Sequence, residues 1–212
     1  MNGSKSRAFS FNLCPWAISK IFADKIIILT YIEVQSTGKT TLCNALAQKL
    51  GLEGPAYVTE VARRVMKEKG YSRDTVSSLQ MQEDIMEAHF LLEQESMVHA
   101  IRVCDRTAID PLVYAILTSS DEEESRRKKN HLTRSANFQK ALQQYRKSIV
   151  ILLKPVAEWL IDDGIRSIEN QDKCLQLYRQ LLAEMDISYY EFGREMMFLP
   201  ERVGFIMGLA RI

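Results

Sequence analysis

Apolar residues along the chain alternate between short continuous runs and longer stretches with helical spacing. Continuous runs rich in β-branched residues predict buried strands. The predicted strands are residues 26–29, 56–59, 101–104, 148–155 and 187–192. Apolar residues three and four positions apart predict helices between and after these strands. The predicted helices are residues 42–50, 61–70, 74–98, 111–116, 137–146, 171–184 and 202–209.

Two stretches add detail to this pattern. Residues 119–135 carry an acidic run followed by a basic run with hardly any apolar residue, which predicts a solvated loop. In the long helix 74–98, Gln80, Gln82 and His89 are candidates to face a substrate, although polar residues on an amphipathic helix are usually solvated. The apolar stripe of that helix is expected to pack on the sheet and consists of Leu79, Ile85, Met86, Phe90 and Leu91.

The stretch from Lys25 to Gly51 has the strand, loop and helix order of a phosphate-binding loop. Gly38 permits the backbone to turn its N–H groups toward an anion, the Lys39 ammonium reaches the terminal phosphates, and the Thr40 hydroxyl is placed to bind Mg²⁺. The helix that follows adds the positive end of its dipole. The residues predicted to contact the nucleotide are Gln35, Ser36, Thr37, Gly38, Lys39, Thr40 and Thr41.

One position departs from the pattern G-x-x-x-x-G-K-S/T. That pattern has glycine five residues before Gly38, where this chain has Glu33. Glutamate adds a Cβ atom to a tight turn and a negative charge that repels phosphate. Two explanations stay open: the loop is impaired as a nucleotide site, or the residues before Gln35 are not the native partner of those that follow.

Two carboxylates follow predicted strands. Asp105 ends the third strand, where an aspartate of a phosphate-loop protein holds Mg²⁺ or accepts the proton of the nucleophile. Glu60 follows the second strand, at the edge of a parallel sheet where ligands bind. An equally weighted explanation is that Glu60 favours the start of the next helix through the helix dipole.

Three further polar residues have candidate roles. Arg166 lies after the fourth strand in the segment WLIDDGIR, where small P-loop kinases have a lid that closes over the nucleotide with an arginine. The alternative is an ordinary loop that turns at Gly164. Arg106 is expected to pair with phosphate or with Asp105, and Asp110 is expected to cap the helix that follows it.

The composition of the chain narrows the class of protein. With 212 residues, 46% hydrophobic content and a net charge of +1, the chain is expected to bury one core, in a single domain over residues 25–212. The neutral charge balance argues against nucleic acid or an anionic membrane as a partner. The four cysteines are scattered without metal-binding spacing, so we expect reduced thiols in a cytoplasmic protein.

Residues 1–24 form a separate N-terminal extension. They contain no acidic residue before Asp24, and their basic residues are interspersed with serines and aromatic residues. This composition favours a disordered tail and leaves a mitochondrial transit peptide open as the alternative.

The motifs QSTGKTTL, YVTEVARRVM, VCDRTAIDPLVYA and WLIDDGIR, in this order, resemble the NadR/AAA-like P-loop family, which includes ribosylnicotinamide kinases. The resemblance covers residues 35–212. It implies an α/β P-loop NTPase fold with a mainly parallel sheet flanked by helices and a short lid. It also implies that ATP and Mg²⁺ bind at Lys39 and Thr40, that Asp105 serves the metal or the substrate hydroxyl, and that Arg166 lies in the lid.

Two functions are compatible with these residues. The first is a small-molecule kinase that transfers the γ-phosphate of ATP to a hydroxyl of a nucleoside-like acceptor, with Asp105 or Glu60 accepting the proton and Arg166 closing over the phosphate. The second is a nucleotide-dependent switch or scaffold with weak or no catalysis, which Glu33 favours. Transfer of phosphate to a nucleoside panel distinguishes the two, whereas ATP binding is common to both.

Overall fold

A five-stranded parallel sheet organises the fold. The computed structural model describes residues 25–31, 38–156 and 169–212. The strands are β1 (Lys25–Tyr31), β2 (Tyr57–Val58), β3 (Ile101–Asp105), β4 (Ile149–Leu153) and β5 (Tyr189–Phe192). They lie in the order β2-β3-β1-β4-β5, and every neighbouring pair is parallel.

The strands alternate with α-helices along the chain, as predicted. The helices are α1 (Lys39–Leu50), α2 (Val61–Lys69), α3 (Leu79–Glu95), α4 (Ile109–Leu117), α5 (Glu122–Thr133), α6 (Ala136–Tyr145), α7 (Glu169–Glu184) and α8 (Leu199–Ala210). Among the described residues, none of the helices combines the length and the apolar character that crossing a membrane requires.

Apolar sequence explains why β3 and β4 lie inside the sheet: β4 is wholly apolar, and β3 is apolar at Ile101, Val103 and Cys104. Four of the five residues in each strand are buried, and both strands pair with β1. Parallel strands that are covered on both faces have nearly continuous apolar sequences, because neither face meets water. The edge strand β5 has one buried residue, Phe192. This order holds β1 at the middle of the sheet, so α1, which follows β1, starts near the centre of its carboxyl edge.

The predicted loop at residues 119–135 is wrong, because most of it forms α5. Asp121 caps this helix, since its carboxylate accepts a hydrogen bond from the N–H of Glu124 at 2.7 Å. Three glutamates in the first turn complement the positive end of the helix dipole. Only Lys128 and Leu132 of α5 are buried, so its buried stripe is too narrow to appear as apolar periodicity.

The long helix α3 buries polar side chains that the sequence predicted to be solvated. Gln82 and His89 are 2% and 1% exposed, whereas Leu91, which was assigned to the buried stripe, is 54% exposed. The Gln82 side-chain amide donates to the carbonyl of Val76 at 2.7 Å. Hydrogen bonding to a neighbouring backbone group is what makes burial of this amide tolerable.

Three of the four cysteines lie among the described residues and are buried free thiols, as predicted. They are Cys43, Cys104 and Cys174. Burial raises the pKa of the Cys43 and Cys104 thiols well above the ordinary value, which keeps them protonated and weakly nucleophilic. Cys14, like the rest of residues 1–24, lies outside the described residues.

A buried hydrogen-bond chain connects α3, α6 and the turn after β3. The backbone N–H of Ala108 donates to the Tyr145 hydroxyl at 3.2 Å, and that hydroxyl donates to Glu93 Oε2 at 2.8 Å. Glu93 is 8% exposed, and burial raises its pKa to about 8 although the Tyr145 hydrogen bond opposes the shift. At neutral pH the buried carboxyl group is therefore mostly protonated.

Glu93→Gln is expected to stabilise the protein at alkaline pH and to change little near pH 5. The pKa of Glu93 is raised above its ordinary value of 4.5, so its contribution to stability is complete below that value and is lost as the pH rises through 8. One pKa unit is worth about 1.4 kcal/mol, so the loss amounts to roughly a few kcal/mol. Glutamine cannot ionise and still accepts the Tyr145 hydrogen bond. Urea unfolding at pH 5 and pH 9 measures the difference.

Glu95→Gln is the matched control for this change, because Glu95 lies on the same helix and is exposed. It should leave the pH dependence of unfolding as it is in the unsubstituted protein. An equal change of the unfolding midpoint at both pH values in the Glu93 variant would contradict a buried, protonated carboxyl group.

Candidate active site

The ends of β2 and β3 bring polar side chains to one edge of the sheet. Cys104 of β3 lies opposite Val58 of β2, and Asp105 lies opposite Leu29 of β1. Thr59 follows β2 directly, and its hydroxyl donates to Asp105 Oδ2 at 3.4 Å. Asp105 is therefore placed at the carboxyl edge, between the central strand and the end of β2.

Lys39 and Asp105 contact each other at this edge. The Lys39 ammonium forms an ion pair with Asp105 Oδ1, and the two side chains are 12% and 2% exposed. Charges that are removed from water this far are costly unless each has a partner of opposite sign. A phosphate beside Lys39 and a cation beside Asp105 would likewise keep both charges compensated.

The start of α1 has the features of an anion site. Gly38 precedes the helix with φ 75°, a left-handed conformation that glycine adopts without strain, and its carbonyl accepts the N–H of Leu42 at 2.8 Å. Among the described residues, no side chain caps this helix end, and its first turn holds no acidic residue. Thr40 and Thr41 are exposed there. Amide groups and a helix dipole in this arrangement suit phosphate.

Thr40 and Asp105 also suit Mg²⁺ chemically. A hydroxyl and a carboxylate are oxygen ligands of the kind that this hard cation prefers. Mg²⁺ in phosphate-transfer sites commonly uses one or two carboxylates together with phosphate oxygens and water. One carboxylate oxygen of Asp105 accepts the Thr59 hydrogen bond and the other pairs with Lys39. Thr40 and Asp105 are therefore chemically suited to hold a magnesium ion.

Glu60 lies at the start of α2 with an accessible carboxylate. Its φ of 56° is left-handed, which is a strained conformation for a residue with a Cβ atom. The carbonyl of Glu60 accepts the N–H of Arg64 at 3.1 Å, whereas its side chain makes no capping hydrogen bond and pairs with Arg63 at 3.0 Å. The side chain is 48% exposed, so the carboxylate is open to a ligand.

Asp110 does not cap α4, so that prediction is wrong. The helix begins at Ile109, and Asp110 lies in its first turn. The N–H of Ile109 donates to the Thr107 hydroxyl at 3.1 Å, which moves the start of the helix toward Thr107. Asp110 is 3% exposed, and its carboxylate accepts the N–H of Thr107 at 2.9 Å and the Tyr178 hydroxyl at 2.8 Å.

Arg106 pairs with Asp110, a partner that the sequence did not suggest. The distance from Arg106 Nη1 to Asp110 Oδ1 is 3.3 Å, and the arginine side chain is 21% exposed. Burial raises the pKa of Asp110, while the Arg106 charge and the hydrogen bonds from Thr107 and Tyr178 act in the opposite direction. The arginine therefore favours the ionised form of a carboxylate that burial disfavours.

Five residues singled out by the sequence lie outside the described residues: Glu33, Gln35, Ser36, Thr37 and Arg166. Two polar contacts of the site were missed. Thr59 could have been found, because it immediately precedes Glu60 at a strand end. Tyr178 is 68 positions from Asp110 in sequence and carries no local signal of that contact.

A parallel sheet with a glycine and a lysine at the start of the helix after its central strand is the arrangement of a P-loop NTPase fold. The fold is similar to that of the NadR protein in complex with NR, with a TM-score of 0.67, 19% identity and coverage of 92% of this chain and 54% of that chain. The NadR protein in complex with NAD and AMP-PNP matches with a TM-score of 0.65 and 15% identity, over 92% of this chain and 52% of that chain. Deoxyadenosine kinase from M. mycoides, with dCMP and dCDP bound, matches with a TM-score of 0.62 and 15% identity, over 88% of this chain and 100% of that chain.

The chain belongs to the AAA domain family, whose sequence profile matches residues 34–201. Glu33 lies immediately before the matched region. The predicted fold class and the family resemblance are thus confirmed. This chain spans about half the length of the NadR chains, and at these identities the structural likeness concerns the fold. No curated protein matches the chain in sequence.

Proposed function

We propose that this protein is a kinase that transfers the γ-phosphate of ATP to a hydroxyl group of a nucleoside-like small molecule. The contact between Lys39 and Asp105 at the carboxyl edge of the sheet, with Glu60 at the end of the neighbouring strand, carries the proposal. The similar structures, a deoxyadenosine kinase and NadR bound to NR, support an acceptor of this class.

The proposed roles at the phosphate side follow from position and chemistry. Lys39 and the first amides of α1 hold the phosphates, and Thr40 and Asp105 hold Mg²⁺. A magnesium ion held there would supply positive charge to balance the charge that develops on the transferred group. Arg166 completes this set as the lid arginine that the family resemblance implies. Phosphoryl transfer depends mainly on such positioning and electrostatic stabilisation.

Glu60 is the better candidate for the base that accepts the hydroxyl proton. Asp105 is 2% exposed and is engaged by Lys39 and Thr59, which suits a residue that serves the metal. The Glu60 carboxylate is 48% exposed and has a surface arginine as its partner. An accessible carboxylate can approach an acceptor hydroxyl, whereas a buried, paired one is restricted to the ions beside it.

The partners implied by this proposal are ATP and a small-molecule acceptor. The net charge of +1 does not favour nucleic acid as a partner. The buried free thiols support a cytoplasmic location, where cysteines stay reduced.

The test is release of ADP from Mg·ATP in the presence and absence of each member of a nucleoside panel, followed by detection of the phosphorylated product. Nucleoside-dependent release with a matching product supports the kinase. Slow release of ADP that no nucleoside accelerates would instead support the nucleotide-dependent switch. Glu33, which stands where the phosphate-loop pattern has glycine, favours that alternative.

Glu60→Gln is expected to lower kcat by about a hundredfold or more, because glutamine cannot accept the hydroxyl proton. The affinity for Mg·ATP should stay within about twofold, since Glu60 does not belong to the phosphate side of the site. Acceptor kinetics and calorimetry measure the two quantities. The exposed Glu68 on α2 provides the control Glu68→Gln, which should leave both unchanged. Full retention of kcat in the Glu60 variant would remove Glu60 from the proposed mechanism.

A further inference from the structure

Arg106 occupies a strained position beside the candidate site. It follows Asp105 directly, and its φ of 82° is left-handed. Non-glycine residues persist in this conformation only where surrounding contacts hold them, and such residues cluster at functional sites. Asp105 pairs with Lys39, so the backbone of Arg106 lies beside this ion pair at the carboxyl end of β3. Arg106 therefore adds a second fixed positive charge near the proposed phosphate position.

A buried carboxylate holds the side chain of Arg106. Asp110 Oδ1 is 3.3 Å from Arg106 Nη1, and Asp110 itself is 3% exposed. An arginine paired with a fixed carboxylate keeps its planar guanidinium in a defined orientation. The orientation of Arg106 consequently depends on what holds Asp110.

Tyr178 supplies one of the contacts that hold Asp110. Its hydroxyl donates to Asp110 Oδ1 at 2.8 Å, the same oxygen that faces Arg106, and the tyrosine is 1% exposed. Burial and the nearby Asp110 charge raise the pKa of Tyr178 well above its ordinary value, so the hydroxyl remains a donor. The second oxygen of Asp110 accepts the N–H of Thr107 at 2.9 Å. Both carboxylate oxygens are thus engaged, one by the local turn and one by α7.

We propose that Asp110 and Tyr178 are positioning residues that hold the Arg106 guanidinium against the phosphoryl group being transferred. The inference rests on the proposed kinase function and deepens it. Its consequence is that α7, which packs against α4, helps to set the catalytic geometry through a single hydroxyl group.

The test combines Tyr178→Phe, Asp110→Asn and Arg106→Ala with steady-state kinetics on the nucleoside acceptor that the panel identifies. Tyr178→Phe removes one hydrogen bond to a charged group and should lower kcat by about tenfold. The KM for ATP should change less than about twofold, because Lys39 and α1 are untouched. Tyr71→Phe is the matched control, since the Tyr71 hydroxyl donates to the Asp84 carboxylate of α3 at 2.6 Å, a contact that includes neither Arg106 nor Asp110. It should leave kcat unchanged.

Coupling to Arg106 separates positioning from general stability. If Tyr178 acts through Arg106, then Tyr178→Phe should lower kcat by less than about twofold in the Arg106→Ala background. Asp110→Asn should likewise lower kcat less in the Arg106→Ala background than in the unsubstituted protein. Thermal melting confirms that each variant is folded. Equal effects of Tyr178→Phe in both backgrounds, or no effect on kcat, would overturn the inference while the kinase function stands. Absence of nucleoside-dependent ADP release in the unsubstituted protein would overturn both.

Discussion

Lys39→Ala is expected to weaken the binding of Mg·AMP-PNP by about a hundredfold or more. The Lys39 side chain is 12% exposed at the start of α1, where a phosphate would meet a shielded ammonium and a helix dipole together. A hydrogen bond from a charged donor in such a site contributes about 3 kcal/mol, which corresponds to roughly a hundredfold in affinity. Calorimetry with the non-hydrolysable nucleotide measures binding without turnover.

The loss of Lys39 also leaves Asp105, which is 2% exposed, without its cation. Breaking a shielded ion pair in this way is destabilising, so Lys39→Ala should lower the melting temperature as well. The double variant Lys39→Ala/Asp105→Asn removes the uncompensated charge and should regain stability while nucleotide binding stays weak. Lys49→Ala removes one positive charge from an exposed position in the last turn of α1, so it is the control for the loss of a charge by itself. Unchanged affinity in Lys39→Ala would refute the phosphate-loop assignment.

The strands that frame the site could be predicted because their chemistry is local. Residues 149–153 are a continuous apolar run, and residues 101–104 are apolar except for Arg102; β4 and β3 form there because a parallel strand in mid-sheet has both faces covered. The position of Asp105 follows from the same reasoning, because the apolar residues of this strand end at Cys104. The phosphate-loop motif similarly places Lys39 at the start of a helix.

Polar residues on helices were harder to assign, because periodicity reports only the apolar face. His89 and Glu93 lie on α3 and are buried, although their sequence context is that of a solvated helix face. The opposite error occurred at Leu91, an apolar residue that is 54% exposed. The helix α5 was missed for a related reason: its stability comes from a cap, a charged first turn and two buried positions rather than from an apolar stripe.

Contacts between distant segments could not be derived from the sequence. Asp110 has the local appearance of a helix cap, and its role changes because Tyr178 approaches it from α7. The pairing of Arg106 with Asp110, four residues apart, is by contrast a local contact within the turn and first turn of α4. Burial and long-range hydrogen bonds thus changed the interpretation of residues whose types and spacing were plain from the beginning.

Asp105→Asn is expected to lower Mg²⁺-dependent turnover by about a thousandfold or more and to leave the fold intact. Asparagine has the shape of aspartate and can still accept the Thr59 hydrogen bond, so the end of β3 keeps its packing. It lacks the negative charge that a metal ligand contributes, which is worth several kcal/mol in phosphoryl transfer. Turnover measured over a range of Mg²⁺ concentrations should show both a lower maximum and a requirement for more magnesium.

The comparison that decides the role of Asp105 is between nucleotide binding with and without Mg²⁺. If Asp105 serves the metal, Asp105→Asn should lose the gain in affinity that Mg²⁺ confers, while binding of metal-free nucleotide stays equal or improves because Lys39 no longer pairs with a carboxylate. Asp74→Asn, at an exposed aspartate between α2 and α3, should retain the full magnesium effect. Full turnover with an unchanged magnesium requirement in Asp105→Asn would remove Asp105 from the mechanism, and Glu60 would then be the remaining strand-end carboxylate for the metal.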